Sequence, residues 1–204
     1  MPADDAELAA LKDDAAGCRS CPLWENATRT VFGEGPADAP LMLVGEQPGD
    51  KEDLAGRPFV GPAGLLLDRA LEEAGIDRAR TYVTNAVKHF KWTPRGKRRV
   101  HQKPNGEEIG ACKVWLEHEV EHVQPEVVVA MGVTAVRSLF GSNATISSLR
   151  GAVQESELGG PTVVTVHPAS IVRLQNCAER HAELDALADD LEMAADEAKV
   201  HRSS

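Results

Sequence analysis

Leu41-Met42-Leu43-Val44-Gly45-Glu46-Gln47-Pro48-Gly49 runs from an apolar stretch straight into two polar residues, a proline and a glycine. Its first residues are apolar without alternation, the pattern of a strand whose sheet is covered on both faces. Thr81–Asn85, Glu126–Ala130 and Pro161–Val166 read the same way. Between them Gly64–Ala74 and Glu107–Val123 carry helical patterning, a third helix is expected from Val133, and Ala178–Ala195 closes the chain. Strands alternating with helices predict an α/β fold: a three-layer α/β/α sandwich around a central four-stranded parallel sheet. No repeat or low-complexity linker breaks the alternation, so residues 1–204 read as a single domain, with loose ends expected at about 1–5 and 199–204.

The composition is that of a globular protein, with 42% hydrophobic and 26% charged residues. The longest apolar stretch, about Val127 to Val133, falls far short of the roughly 20 residues that span a bilayer. The acidic start, Met1-Pro2-Ala3-Asp4-Asp5, has neither the basic nor the apolar part of a signal peptide. A soluble cytoplasmic protein without membrane contact is expected. The net charge of −10 argues against a polyanionic partner until its distribution is considered. From Arg78 to Lys103 there is no Asp or Glu, while Arg78, Arg80, Lys88, Lys91, Arg95, Lys97, Arg98, Arg99 and Lys103 all fall there. Such a segment on an acidic body is a footprint for a phosphate backbone. A solvated basic loop would have the same composition, so charge alone does not choose.

In parallel α/β folds the chemistry gathers at the carboxyl ends of the strands. Glu46 and Gln47 follow the first strand, Asn85 ends the second and His167 follows the last, so three strands deliver polar side chains to one rim. The turn Gly45–Gly49 leads into a loop rich in Gly and Pro that holds Phe59 and ends at a helix start, a place for a planar ring and an anion. Cys18-x-x-Cys21-Pro22, in a chain read as cytoplasmic, suggests metal ligation rather than a disulfide. By number alone, Cys18, Cys21, Cys112 and Cys177 make a simple Cys₄ set.

Four ordered motifs carry a family resemblance: Gly45-Glu46-x-Pro48-Gly49, Gly56-Arg-Pro-Phe59-Val-Gly61-Pro-Ala-Gly64, Tyr82-Val-Thr-Asn85 and His167-Pro168-Ala169-Ser170-x-x-Arg173. They resemble the signatures of the iron–sulfur uracil-DNA glycosylases, family 4 of that superfamily, and the similarity runs from about Cys18 to Arg173. It implies an enzyme that flips uracil out of DNA and cleaves its N-glycosidic bond. It further implies that Asn85 pairs with uracil O4 and N3–H, that His167 donates to O2, that Phe59 stacks on the ring and that Glu46 lies by the sugar. Gln47, Asp53, Arg99 and Arg173 join the substrate-binding set. The implied cofactor is a 4Fe-4S cluster. Its third ligand position in the family, a Cys, is matched by His89, and Cys112 in Gly110-Ala-Cys-Lys-x-Trp-Leu matches the fourth. The implied ligands are therefore Cys18, Cys21, His89 and Cys112, with Cys177 a spare thiol.

Two departures from the family pattern look like the UdgX branch. Gln47 stands where the family usually has Ala, and a longer segment before Cys112 carries Lys97-Arg98-Arg99-Val100-His101 where the branch has Lys-Arg-Arg-Ile-His. The branch resemblance implies that His101 attacks C1′ of the sugar after uracil leaves and remains bonded to the DNA. An imidazole is a competent nucleophile and an oxocarbenium a strong electrophile, provided the loop places the ring ahead of water. Arg98 or Arg99 could fasten that loop to acids beside Glu46 or to a phosphate. The rival readings are an ordinary turning-over glycosylase that releases an abasic site, and a non-catalytic iron–sulfur DNA-binding or redox module. Uracil-containing DNA, single-stranded and possibly double-stranded, is the expected partner, uracil the expected product and a monomer the expected state.

Overall fold

The computed structural model describes residues 5–199. In chain order the elements are α1 (Asp5–Ala16), β1 (Leu41–Gly45), α2 (Asp50–Ala55), α3 (Pro62–Glu73), β2 (Thr81–Asn85), β3 (Trp92–Arg95), β4 (Arg98–His101), α4 (Gly106–Val123), β5 (Val127–Met131), α5 (Val133–Phe140), α6 (Ile146–Leu149), β6 (Val153–Ser156), β7 (Gly160–Thr165), α7 (Pro168–Val172) and α8 (Cys177–Glu197). The expected helices begin where their caps dictate. Pro62 occupies the first turn of α3, where its missing N–H costs nothing. Asn105 and Glu108 form a reciprocal capping box on α4, and the Asn176 side chain accepts from Ala178 N to start α8.

The main sheet has the order β2-β1-β5-β7-β6. β1 pairs in parallel with β2 and β5, and β5 in parallel with β7. The three-layer α/β/α reading therefore holds, and all four expected parallel strands are present. The sheet is five-stranded rather than four-stranded because β6 adds an antiparallel edge to β7. Only Val153 in β6 is apolar, so an edge strand with one apolar side chain left no run to read.

Alternation along the buried strands explains the layers. Leu41, Leu43, Val83, Val129 and Val163 point to one core with Leu67 and Leu71 of α3 and Leu187 and Leu191 of α8. Met42, Val44, Tyr82, Val128 and Val164 point to the other, with Leu116 of α4 and Val136 and Leu139 of α5. Each such Leu or Val, fully buried, contributes about 1.5–3 kcal/mol. β2 lies on one side of β1 and β5 on the other, so the chain reverses direction across the sheet beside β1. The crevice outside the strand ends at that reversal is where ligands bind in such sheets.

β3 and β4 form a separate antiparallel hairpin, with Arg95 opposite Arg98 and Trp92 opposite His101. Its turn places Gly96 at φ 62°, a conformation glycine adopts without strain. In sequence this stretch reads as a loop, since Pro94 and four basic residues obscure any strand pattern. Of the ends expected to be loose, Asp5 is the first residue of α1 and Lys199 N bonds Asp196 O. Residues 1–4 and 200–204 lie outside the described residues. No helix among the described residues is long and apolar enough to cross a membrane.

Candidate active site

A cavity of about 860 Å³ opens at the carboxyl ends of β1, β2, β5 and β7. Glu46, Gln47, Phe59, Asn85, His101, His167 and Arg173 all line it. Gly45 shows how tightly three of them converge. A Cβ there would lie 2.4 Å from Asn85 Oδ1, 2.7 Å from Phe59 Cζ and 3.2 Å from His167 Nε2. Only a residue without a side chain leaves that space open, so the last position of β1 is part of the site. Phe59 adopts φ 54°, a left-handed conformation that costs a non-glycine residue on the order of 1 kcal/mol. The Glu52 carboxylate steadies its loop by accepting from Gly61 N at 2.8 Å. The Phe59 and His167 rings lie 6.1 Å apart at an interplanar angle of 23°.

His167 has its tautomer assigned by the backbone. Its Nδ1 accepts from Ala169 N at 3.1 Å, so the ring proton resides on Nε2. Nε2 is buried with no partner in the protein and adjoins the cavity. Burial lowers its pKa to about 4 against the pull of Glu46, with Arg173 and His101 adding to the fall. His167 is thus a neutral hydrogen-bond donor at neutral pH. Glu46 is the complementary charge. Burial opposes its ionisation, but hydrogen bonds from His101 and Thr134 outweigh that and hold its pKa below the ordinary carboxylate value. Thr134 Oγ1 donates to Oε2 at 2.8 Å and His101 Nε2 meets Oε1 at 2.8 Å.

His101 reaches Glu46 because polar contacts dock the hairpin. Gln47 spans its open end: Nε2 donates to Gln102 O at 2.9 Å and Lys91 O at 3.3 Å, while Oε1 accepts from Lys91 N at 3.1 Å. Alanine at position 47 could make none of these bonds. Arg99 reaches from β4 to α2, with Nε donating to Asp50 at 2.6 Å and Nη1 to Asp53 at 2.6 Å. Its guanidinium also lies over the Phe90 and Trp92 rings, 5.4 and 5.5 Å from their centroids. Asp53 is fully buried and accepts from Thr28 N. Neither Asp53 nor Arg99 lines the cavity; their contacts join the hairpin that carries His101 to α2.

The sequence profile described as the Uracil DNA glycosylase superfamily matches residues 32–192, which include the whole sheet, the hairpin and the cavity. The chain belongs to the uracil-DNA glycosylase superfamily. It is similar to the type-4 uracil-DNA glycosylase of Thermotoga maritima, 42% identical over 76% of this chain and 78% of the relative. The type-4 uracil-DNA glycosylase of Sulfurisphaera tokodaii is 36% identical over 71% of this chain and 64% of the relative. That of Pyrobaculum aerophilum is 34% identical over 82% and 85% respectively.

In this glycosylase-superfamily chain none of the four candidate metal ligands lines the cavity. Cys21 and Cys112 are buried together with Leu23 and Val87. Burial pushes the Cys112 thiol up to about 11, and Cys21 and Cys18 lie close enough to add to the rise by their charge. Trp115 Nε1 donates to Cys18 Sγ at 3.2 Å. His89 shares a hydrogen bond with Thr30 through Nε2, while its Nδ1 is buried and unpartnered. As the side chains stand, no three His, Cys, Asp or Glu among the described residues form a ready ligand group. Cys18, Cys21 and Cys112 are nonetheless near one another, and His89 Nδ1 is a buried imidazole nitrogen with no partner in the protein, donors of the type that iron–sulfur groups use. Cys177 is exposed at the start of α8, whose core residues lie on the opposite face of the sheet from those of α4.

The basic segment is less available than its composition suggested. Arg78, Lys88, Lys91 and Arg99 are paired with Asp68, Glu119, Glu108 and the Asp50/Asp53 pair. Arg80, Arg95, Lys97, Arg98 and Lys103 are exposed. Sequence reasoning missed Thr134 and Glu52. Gly132 just after an apolar strand was the one signal for Thr134; nothing in the sequence marked Glu52.

Proposed function

We propose that this chain excises uracil from DNA and then keeps hold of the strand through a bond between His101 and C1′ of the sugar. The contact between His101 Nε2 and Glu46 Oε1 at 2.8 Å supports the second half of the proposal, since an imidazole beside a carboxylate is the pairing that a nucleophile and its base require. The first half is supported by the superfamily and by relatives whose names are type-4 uracil-DNA glycosylase.

In this reading a flipped uracil stacks on Phe59, and the Asn85 amide pairs with its O4 and N3–H. The bond between C1′ and N1 breaks, its electron pair going to the base. His167 Nε2–H stabilises the charge arriving at O2 as a neutral donor in a dry site. Glu46 faces the positive charge on the sugar. It then takes the Nε2 proton of His101 while the freed electron pair bonds C1′, leaving an N-alkylated imidazole. The uracil anion takes its proton from solvent. Asp53, Arg99 and Gln47 hold the hairpin for that step, and Arg173 at the mouth offers charge to the DNA. Cys18, Cys21, His89 and Cys112 would hold a 4Fe-4S cluster. Bound there, it would tie the N-terminal segment to α4 through iron–ligand bonds.

A denaturing gel with uracil-containing single-stranded DNA tests the proposal. A shifted band stable to SDS and heat is expected from the native chain. A free abasic product instead would favour ordinary turnover, the reading that the type-4 names of the relatives support. Iron content tests the ligand set: it should fall in Cys112→Ala and His89→Ala and persist in Cys177→Ala.

A further inference from the structure

Lys88 and Glu119 are both fully buried and meet at 2.5 Å, outside the chemistry described above. The lysine ammonium has three protons and three acceptors: Glu119 Oε2, Thr84 Oγ1 at 2.7 Å and the backbone carbonyl of Asn85 at 2.7 Å. Glu119 is equally occupied. It accepts from Thr84 Oγ1 at 2.9 Å, Tyr82 OH at 3.2 Å and Gly33 N at 2.8 Å. A buried ion pair stabilises a fold less well than apolar side chains of the same volume. What this one supplies is direction, and the group it directs is Asn85.

Asn85 is the last residue of β2, and its side chain faces the cavity with almost no lateral room above Gly45. The chain continues along β1 through Ala86 N to Gly45 O and Val87 N to Glu46 O, both 3.0 Å. Lys88 then folds back over three residues to grip the Asn85 carbonyl. An amide distinguishes uracil from cytosine only by which of its ends meets N3 and which meets the exocyclic group. Rotation of the Asn85 backbone would blur that distinction.

We infer that Lys88, held by Glu119, is a positioning residue that fixes the Asn85 amide for base recognition; this rests on the assignment of Asn85 as the uracil reader. The decisive measurement is single-turnover excision of uracil, with free uracil as a competing ligand, in a double-mutant design. Lys88→Met/Glu119→Gln removes both charges without stranding either. At wild-type secondary structure it should excise at least about tenfold more slowly and be inhibited less by free uracil. Added to Asn85→Ala, it should cause no further loss beyond about twofold, because nothing remains to be positioned. Thr84→Val, which keeps the ion pair, should show a smaller loss that also vanishes in the Asn85→Ala background. It carries the test if the double variant does not fold. Losses that multiply with Asn85→Ala, or folded variants at the wild-type rate beside a crippled Asn85→Ala, overturn this inference alone. Wild-type excision by Asn85→Ala itself would instead overturn the reader assignment, and this inference with it.

Discussion

The rim of the sheet and the β3–β4 hairpin both supply residues to one cavity and are built in opposite ways. Every residue of β1, β2 and β5 is buried, and the rim groups Asn85 and His167 sit at the end of β2 and two residues beyond β7, whose last four residues are buried too. The hairpin has no core of its own: Thr93 to Arg98 are exposed, and only Trp92, Arg99 and Val100 are half-buried. Packing on two faces fixes the groups that would read the base. A handful of polar latches, Gln47 at the hairpin's open end and Arg99 on Asp50 and Asp53, fixes the group that would capture the sugar. Capture should therefore be removable one hairpin contact at a time, with excision largely spared.

The largest expected separation comes from His101→Ala. It should abolish the SDS- and heat-resistant band altogether while uracil release continues, detectable as alkali-labile abasic product. A band that survives would remove His101 as the nucleophile.

Acid should find the rim instead. His167 is held neutral in the fold with a pKa of about 4, against 6.5 for the free side chain. Its contribution is complete above pH 6.5 and is lost as pH falls from there towards 4, where the unfolded chain binds the extra proton. The loss is on the order of 3 kcal/mol. Urea unfolding between pH 7 and pH 4 should show this slope in the native chain and a shallower one in His167→Asn. Equal slopes would mean that burial does not keep the ring neutral.

Arg99→Ala strands the buried Asp53 carboxylate and unlatches the hairpin from α2. We expect adduct formation to slow by about 30-fold, equivalent to about 2 kcal/mol, with excision within about threefold of the native rate. Gln47→Ala leaves Arg99 in place and should slow capture by about tenfold, again sparing excision. Partitioning of product between adduct and free abasic site measures both. If either variant lowered excision and capture equally, the hairpin would belong to recognition as well. The smallest effect is expected at the tip: Lys97→Ala should change stability by less than about 0.5 kcal/mol and lower the salt slope of DNA binding by about one.

Legibility in the sequence followed the same division. Strands β1, β2, β5 and β7 were visible because burial on both faces leaves continuous apolar runs, and the rim residues were visible because they interrupt those runs. Helix starts shifted by a residue or two at Pro62 and Cys177, where caps rather than apolar periodicity set the boundary. The hairpin was opaque because polar side chains hold it, and polar side chains have no period. For the same reason the basic segment looked like a free surface although four of its cations are paired with acids distant in sequence.

The sequence by itself determined the layered α/β architecture and the convergence of Glu46, Asn85 and His167, because strand patterning is local and strand ends in a parallel sheet share one rim. Tertiary structure alone decided the pairings across long stretches of chain: Thr134 on Glu46, Arg99 on Asp53, Gln47 on Gln102 and Lys88 on Glu119. A charge or an amide carries no mark of its partner until folding excludes water and leaves one partner within reach.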